Sequence, residues 1–117
     1  MEIDMIRPIL KETHFYEMPE ENKDFCVSVV LDVGSEKVHG ADQFYATLAT
    51  ANGLKAFFTD EAAIAIRGLL LVKSFDISLI KAEIQKILDR CSKDTWEETA
   101  VSINRFFPWE FDESKWK

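Results

Sequence analysis

Histidine, cysteine, proline and glycine are all scarce in this chain of 117 residues, at two, two, three and four copies. Each scarcity excludes something. The glycines (Gly34, Gly40, Gly53, Gly68) are scattered, so no P-loop, dinucleotide fingerprint or nucleophile elbow can be assembled from them. His14 and His39 lack a Cys, Asp or Glu partner at metal-ligand spacing along one element, and read as surface or loop histidines. Cys26 and Cys91 follow no metal or redox spacing and sit in apolar-periodic segments. They read as two buried free thiols in a reducing compartment, with a catalytic thiol or a disulfide as the alternative. Long apolar runs are missing too. The leucine-rich stretch Gly68–Val72 is strand-sized and far too short to cross a bilayer. Met1–Arg7 carries early acids and no signal-peptide layout. The expectation is a cytoplasmic protein that is not an enzyme, with no cofactor, no metal site and no membrane contact.

Positive charge is the other deficit. The chain has 14 bases against 21 acids, a formal net charge of −7. The imbalance sits in residues 1–50, where ten acids face four bases. Nucleic acid is therefore disfavoured as a direct partner, because phosphate demands a basic footprint. A basic protein is the natural complement; plain solubility is the competing account of the same charge.

What is present is one domain's worth of ordinary globular composition, 47% hydrophobic and 30% charged. A chain of this length can bury roughly two-thirds of its unfolded surface, so one core spanning residues 1–117 is feasible without staples. Residues 2–10 alternate around Pro8 and read as an edge or irregular strand. A polar acidic connection, 12–24, follows. Phe25, Val27, Val29, Leu31 and Val33 share one face of the clearest strand. Gly34–Lys37 supplies a turn, Gly40 marks a bulge or a late start, and Asp42–Ala49 alternates again, completing an antiparallel hairpin. Asn52 is a plausible N-cap for a short helix holding Leu54, Phe57 and Phe58. Ile64–Lys73 reads as a central strand because it is so apolar, although residues 60–65 could instead form a helical turn. From Asp76 to Cys91, Ile77, Ile80, Ile84, Ile87, Leu88 and Cys91 recur at helical spacing. A second, short C-terminal helix starts at Asp94, whose spacing to Glu97 resembles a capping box, and Pro108 stops it. Trp96, Ala100 and Ile103 form its inner stripe; Phe106, Phe107 and Phe111 are expected to seal the core. Strands followed by helices indicate α+β: an antiparallel sheet of about four strands, with the long helix packed on one face.

All three tryptophans lie at or beyond Trp96, amid acids (Trp109-Glu-Phe-Asp112 and Trp116). Large rings beside carboxylates, with no chemistry nearby, suit a binder. Trp109 is the candidate aromatic anchor, since tryptophan is over-represented among interface hot spots.

The pattern Asp94-Thr-Trp-Glu-Glu…Ile-Asn-Arg-Phe…Trp-Glu-Phe-Asp-Glu113 resembles the C-terminal signature of the bacterial immunity protein 8 family. Phe75-Asp76 matches that family's step into its long helix. The chain departs from the pattern at Asp112-Glu113, where the family has Glu-Asp, and at Phe107-Pro108 before Trp109. Charge and aromaticity survive, but the subgroup, and so the toxin, stays open.

The resemblance implies an antidote that binds the toxic C-terminal domain of a polymorphic or contact-dependent growth inhibition toxin. Such domains are commonly nucleases with a basic substrate-binding surface, which an acidic partner can occlude. The expected toxin-binding residues are Glu12, Glu17, Glu20, Glu21, Asp24 and Asp42, with Glu110 and Asp112 second. The expected state is a monomer or weak homodimer. A non-catalytic adaptor or self-associating interaction domain is the alternative, and a small enzyme of unknown type, with a deep pocket around His14, His39 or a perturbed carboxylate, is the third reading.

Overall fold

The computed structural model describes residues 5–112. The start of the expected first strand around Ile3, and Glu113 and Trp116 at the other end, lie outside the described residues. Four strands and three helices follow the chain in the order β1 (Pro8–Phe15), β2 (Cys26–Ser35), β3 (Asp42–Ala49), α1 (Ala51–Phe57), β4 (Leu69–Leu71), α2 (Ile77–Asp89) and α3 (Trp96–Asn104). The sheet order is β1-β2-β3-β4. The α+β class and the four strands are as expected. The first two pairings are antiparallel, whereas β3–β4 is parallel.

β1 is displaced from the expected 2–10. Pro8 does not interrupt the strand; it opens it, at the sheet edge where a missing N–H costs no ladder bond. The Pro8 carbonyl and the Leu10 N–H point away from β2 and are taken up by Gln85 of α2, which donates to Pro8 at 2.9 Å and accepts from Leu10 at 3.0 Å. The register slips between Leu10 and Glu12, the mark of a bulge. The strand then runs on to Phe15, so Glu12 and His14 belong to it and not to a loop.

β2 continues through Gly34 and Ser35 before the hairpin turns. A Cβ on Gly34 would stand 2.3 Å from the Gly40 carbonyl oxygen, so only glycine admits that approach. β4 is not central. It holds three residues on the outer edge of β3, entered through Gly68 at φ +89°. The remainder of that edge is taken by the C-terminal segment: Tyr45 N–H donates to Pro108 O at 2.8 Å and Glu110 N–H to Gln43 O at 3.0 Å. Leu71, inside the stretch expected to be a central strand, is exposed.

Both long-range helices lie on one face. Ile80, Ile84 and Leu88 of α2, spaced four apart, pack with Ala100 and Ile103 of α3 onto Val29, Leu31, Val33, Phe44, Ala46 and Leu48. Asp76 caps α2 by accepting from the Leu79 N–H. Two caps differ from expectation by a residue or two. Thr50, not Asn52, caps α1, accepting from Gly53. Thr95, not Asp94, caps α3: it accepts from Glu98 N–H at 3.1 Å while its hydroxyl donates to the Glu98 carboxylate at 2.9 Å. That shift turns Thr99 inward beside Ala100 and Ile103, and Thr99 is satisfied there, donating to Thr95 O and accepting from Lys93 N–H. Of the three phenylalanines expected to close the core, Phe107 does so; Phe106 and Phe111 are exposed.

The opposite face of the sheet points away from this core. Ser28, Val30 and Asp32 of β2 alternate with the core residues, as do Gln43, Tyr45 and Thr47 of β3, and none of the six is buried. No helix among the described residues is long and apolar enough to cross a membrane.

Candidate functional site

The eight acids expected to meet a partner do not form one patch. Glu17, Glu20, Glu21 and Asp24 occupy the β1–β2 connection, at the end of the sheet where Cys26 pairs with Ala49. Asp42 lies at the other end, opposite Val33. Seven residues of strand separate these ends, about 23 Å at the usual rise. Glu12, on β1 opposite Asp32, lies one residue from the level of Asp42.

The connection is open to solvent. Glu12, Glu17, Glu20, Glu21 and Asp24 are all exposed. Among the described residues only Glu20 has an ion-pair partner, Lys23 at 2.6 Å, and that pair is itself in solvent. Tyr16 and Met18 project into the same region; Tyr16 is 96% exposed.

Asp42, Glu110 and Asp112 have internal work. One oxygen of the half-buried Asp42 carboxylate accepts from both indoles, Trp96 Nε1 at 2.9 Å and Trp109 Nε1 at 3.0 Å. The Glu110 carboxylate accepts from the Gln43 backbone N–H, clasping the tail to β3. Asp112 is buried and bonded to Arg67 at 2.9 Å. Trp109 is held as well: its ring stacks on Phe44 at 6.4 Å and meets Phe111 edge-on at 5.6 Å, and its backbone N–H donates to Asn104 Oδ1. A ring so occupied is a structural anchor first. Tyr16, which sequence reasoning passed over, is the aromatic presented to solvent near the acids.

A second constellation was missed altogether. Glu12 pairs across the sheet with Asp32, and His14 Nε2 lies 2.7 Å from Asp32 Oδ2. The Asp32 hydrogen bond raises the His14 pKa above 6.5; partial desolvation opposes the rise, and the Asp32 and Glu12 charges add to it. One donor atom from each of Glu12, His14 and Asp32 falls within 4.8 Å of the others, close enough to share a cation. The signal lay in the alternation Glu12-Thr-His-Phe-Tyr16, which reads as a loop unless Pro8 is allowed to begin a strand.

The features an enzyme needs are weakly represented. Burial pushes both the Cys26 and Cys91 thiols up from their ordinary pKa, away from the thiolate a nucleophile requires. His39 lines an open groove of about 460 Å³ with Val38, Trp96 and Asp42, and the Asp42 oxygen is already shared by two indoles.

The family model for immunity protein 8 matches residues 8–114. No curated protein and no solved structure matches the chain.

Proposed function

The chain belongs to the immunity protein 8 family, and we propose that it is the non-catalytic immunity protein of a toxin system, a single binding domain acting in the cytoplasm of the cell it protects. It binds a cognate toxin domain, a nuclease such as an RNase of a contact-dependent growth inhibition system, and occludes the basic surface with which that toxin grips its substrate. The observation that carries this reading is the exposed acidic group Glu17, Glu20, Glu21 and Asp24 in the β1–β2 connection, with Glu12 exposed further along β1. A nuclease needs cationic side chains to hold phosphate, so these carboxylates offer it a competing ligand.

The two halves of the mechanism have different kinetic signatures. Solvated carboxylates steer the encounter and raise the association rate, an effect that falls with salt. Rings desolvated on docking, with Tyr16 the leading candidate, slow dissociation. Asp42, Glu110 and Asp112 enter indirectly, by keeping β3 and the tail in place.

The experiment is co-expression. A candidate toxin domain, sought at the C-terminus of any large secreted protein encoded beside this gene, is expressed with and without this chain, and survival is scored. Reversal of Glu17, Glu21 and Asp24 to lysine should then weaken binding by about tenfold or more at low salt, mainly through the association rate, and flatten its salt dependence. Equal survival with and without the chain sinks the immunity reading. Unaltered affinity and salt dependence in the reversal variant remove this surface from it.

A further inference from the structure

The two outer edges of the sheet are treated differently. On β1, Gln85 takes up the Pro8 carbonyl and the Leu10 N–H, a bulge follows, and Lys11 and Glu12 put charge on the strand. These are the devices by which natural edges avoid pairing. β4 has none of them. Leu69, Leu70 and Leu71 carry no charge and no proline, and their register against β3 is unbroken. Gly68 O accepts from Thr47 N–H and Val72 N–H donates to Ala49 O, so the backbone groups of residues 68, 70 and 72 point at β3. Those of Leu69 and Leu71 alternate with them and point outward, where the sheet has no further strand. Beside this edge runs a groove of about 390 Å³, lined by Leu70, Leu71 and Val72 of the strand and its exit and by Leu79, Ile80 and Glu83 of α2. Leu71 and Leu79 are each more than half exposed.

We infer that β4 is where the toxin adds a strand of its own to the sheet, with one aliphatic side chain of that strand lowered into the groove beside Leu70 and Leu79. This rests on the immunity reading above and names the contact that holds the complex once the acidic connection has steered it together. Main-chain hydrogen bonds to Leu69 and Leu71 supply affinity, and the groove sets the choice of side chain.

Two features select this occupant. At three residues β4 is too short to hold a free peptide by its backbone alone, so its partner must be anchored elsewhere as well. An anchor stands close by. Leu71 pairs with Ala49 and Ala49 with Cys26, which puts the β4 edge two strand spacings, about 10 Å, from the strand that leads out of the acidic connection. One bound molecule can cover both. A second copy of this chain fits poorly. The two-fold pairing that uses all three leucines sets Leu70 against its own copy and Lys73 against Arg67, cation opposite cation, between chains that each carry a net charge of −7. A basic partner meets no such overall repulsion.

The test uses the whole protein, isotope-labelled, and a candidate toxin domain that it neutralises in the survival assay. In the free protein the Leu69 and Leu71 amides should exchange quickly with solvent and those of Leu70 and Val72 slowly; in the complex all four should be protected. Leu71→Pro removes one outward N–H and leaves the β3 ladder whole, a change that an edge strand tolerates. It should bind about tenfold more weakly, through faster dissociation, by the same factor at low and high salt. Leu79→Gln sets a neutral amide over the groove without touching the strand backbone and should also speed dissociation; it decides the matter if Leu71→Pro melts early. Leu69 and Leu71 amides that exchange equally fast in the free and bound protein overturn the proposal and leave immunity intact, as do folded variants that dissociate like wild type. Self-association of the isolated protein that Leu71→Pro abolishes gives the edge to a second copy instead. If no candidate toxin is neutralised, the immunity reading falls, and the toxin as occupant falls with it.

Discussion

Replacing Asp42 by alanine removes the acceptor shared by Trp96 and Trp109, and the cost can be worked from the geometry. Both indole N–H groups bond the same carboxylate oxygen, at 2.9 and 3.0 Å. Hydrogen bonds to a charged group contribute about 1.5–3 kcal/mol each. Two donors on one oxygen are coupled, and the site is half-buried, so their sum should be discounted to about 2–3 kcal/mol. The tail should stay docked, because Pro108 and Glu110 remain bonded to β3 and Asp112 to Arg67. In a Trp116→Phe background, indole fluorescence reports Trp96 and Trp109 alone. Urea unfolding followed by that signal and by far-UV circular dichroism should show the midpoint falling by about 1–2 M for a typical urea slope. Asp42→Asn keeps an acceptor without the charge and should lose about half as much. An alanine variant within about 0.5 kcal/mol of wild type, the range of ordinary surface substitutions, refutes the reasoning, as does an asparagine variant equally damaged.

Three other substitutions probe separate parts of the fold. His14 has a folded pKa raised above 6.5 by its bond to Asp32, so the stability it adds is fully present below pH 6.5 and is lost as pH rises through the folded value. The melting temperature of wild type should exceed that of His14→Gln more at pH 5 than at pH 8; a larger gap at pH 8 contradicts this. Gln85→Ala leaves the Pro8 carbonyl and Leu10 N–H of the edge strand without their partner, which should cost about 1–3 kcal/mol and expose an edge prone to pairing. Sedimentation would show the self-association, and a strictly monomeric, fully stable variant argues against a protective clasp. Thr95→Ala should cost about 1 kcal/mol as the loss of the α3 cap, with Asp94→Ala nearly silent; equal effects in thermal unfolding would mean the cap is misplaced.

How much of this was legible depends on the range of the interactions involved. α2 was visible because its apolar period is clean over four turns, and its buried stripe needs no knowledge of the sheet. β3 was visible because Phe44, Ala46 and Leu48 alternate without exception. β4 misled because leucines at an edge look like leucines at a centre; only the neighbouring strand order tells them apart. β1 was obscured by Thr13 on the core side of the strand, where an aliphatic residue would have advertised the alternation through Phe15. The candidate site was least legible. Asp42 finds Trp96 and Trp109 across 54 and 67 residues of chain, and His14 finds Asp32 across 18. Pairings of that kind depend on register, and a bulge at Leu10–Glu12 sets the register here. Acid count alone could not separate carboxylates that face solvent from those that hold the tail.

The outer edge of β3 is completed by residues 108–110, which leave the ribosome long after β3 itself. Until they emerge, Gln43 and Tyr45 have backbone groups with no strand beside them, and Trp96 has its shared carboxylate without the second indole. A nascent chain interrupted before Pro108 would therefore carry an unzipped seam along most of that strand. Translational pausing or a premature stop late in the gene should yield protease-sensitive, aggregation-prone product, even though nearly every core side chain has already been made.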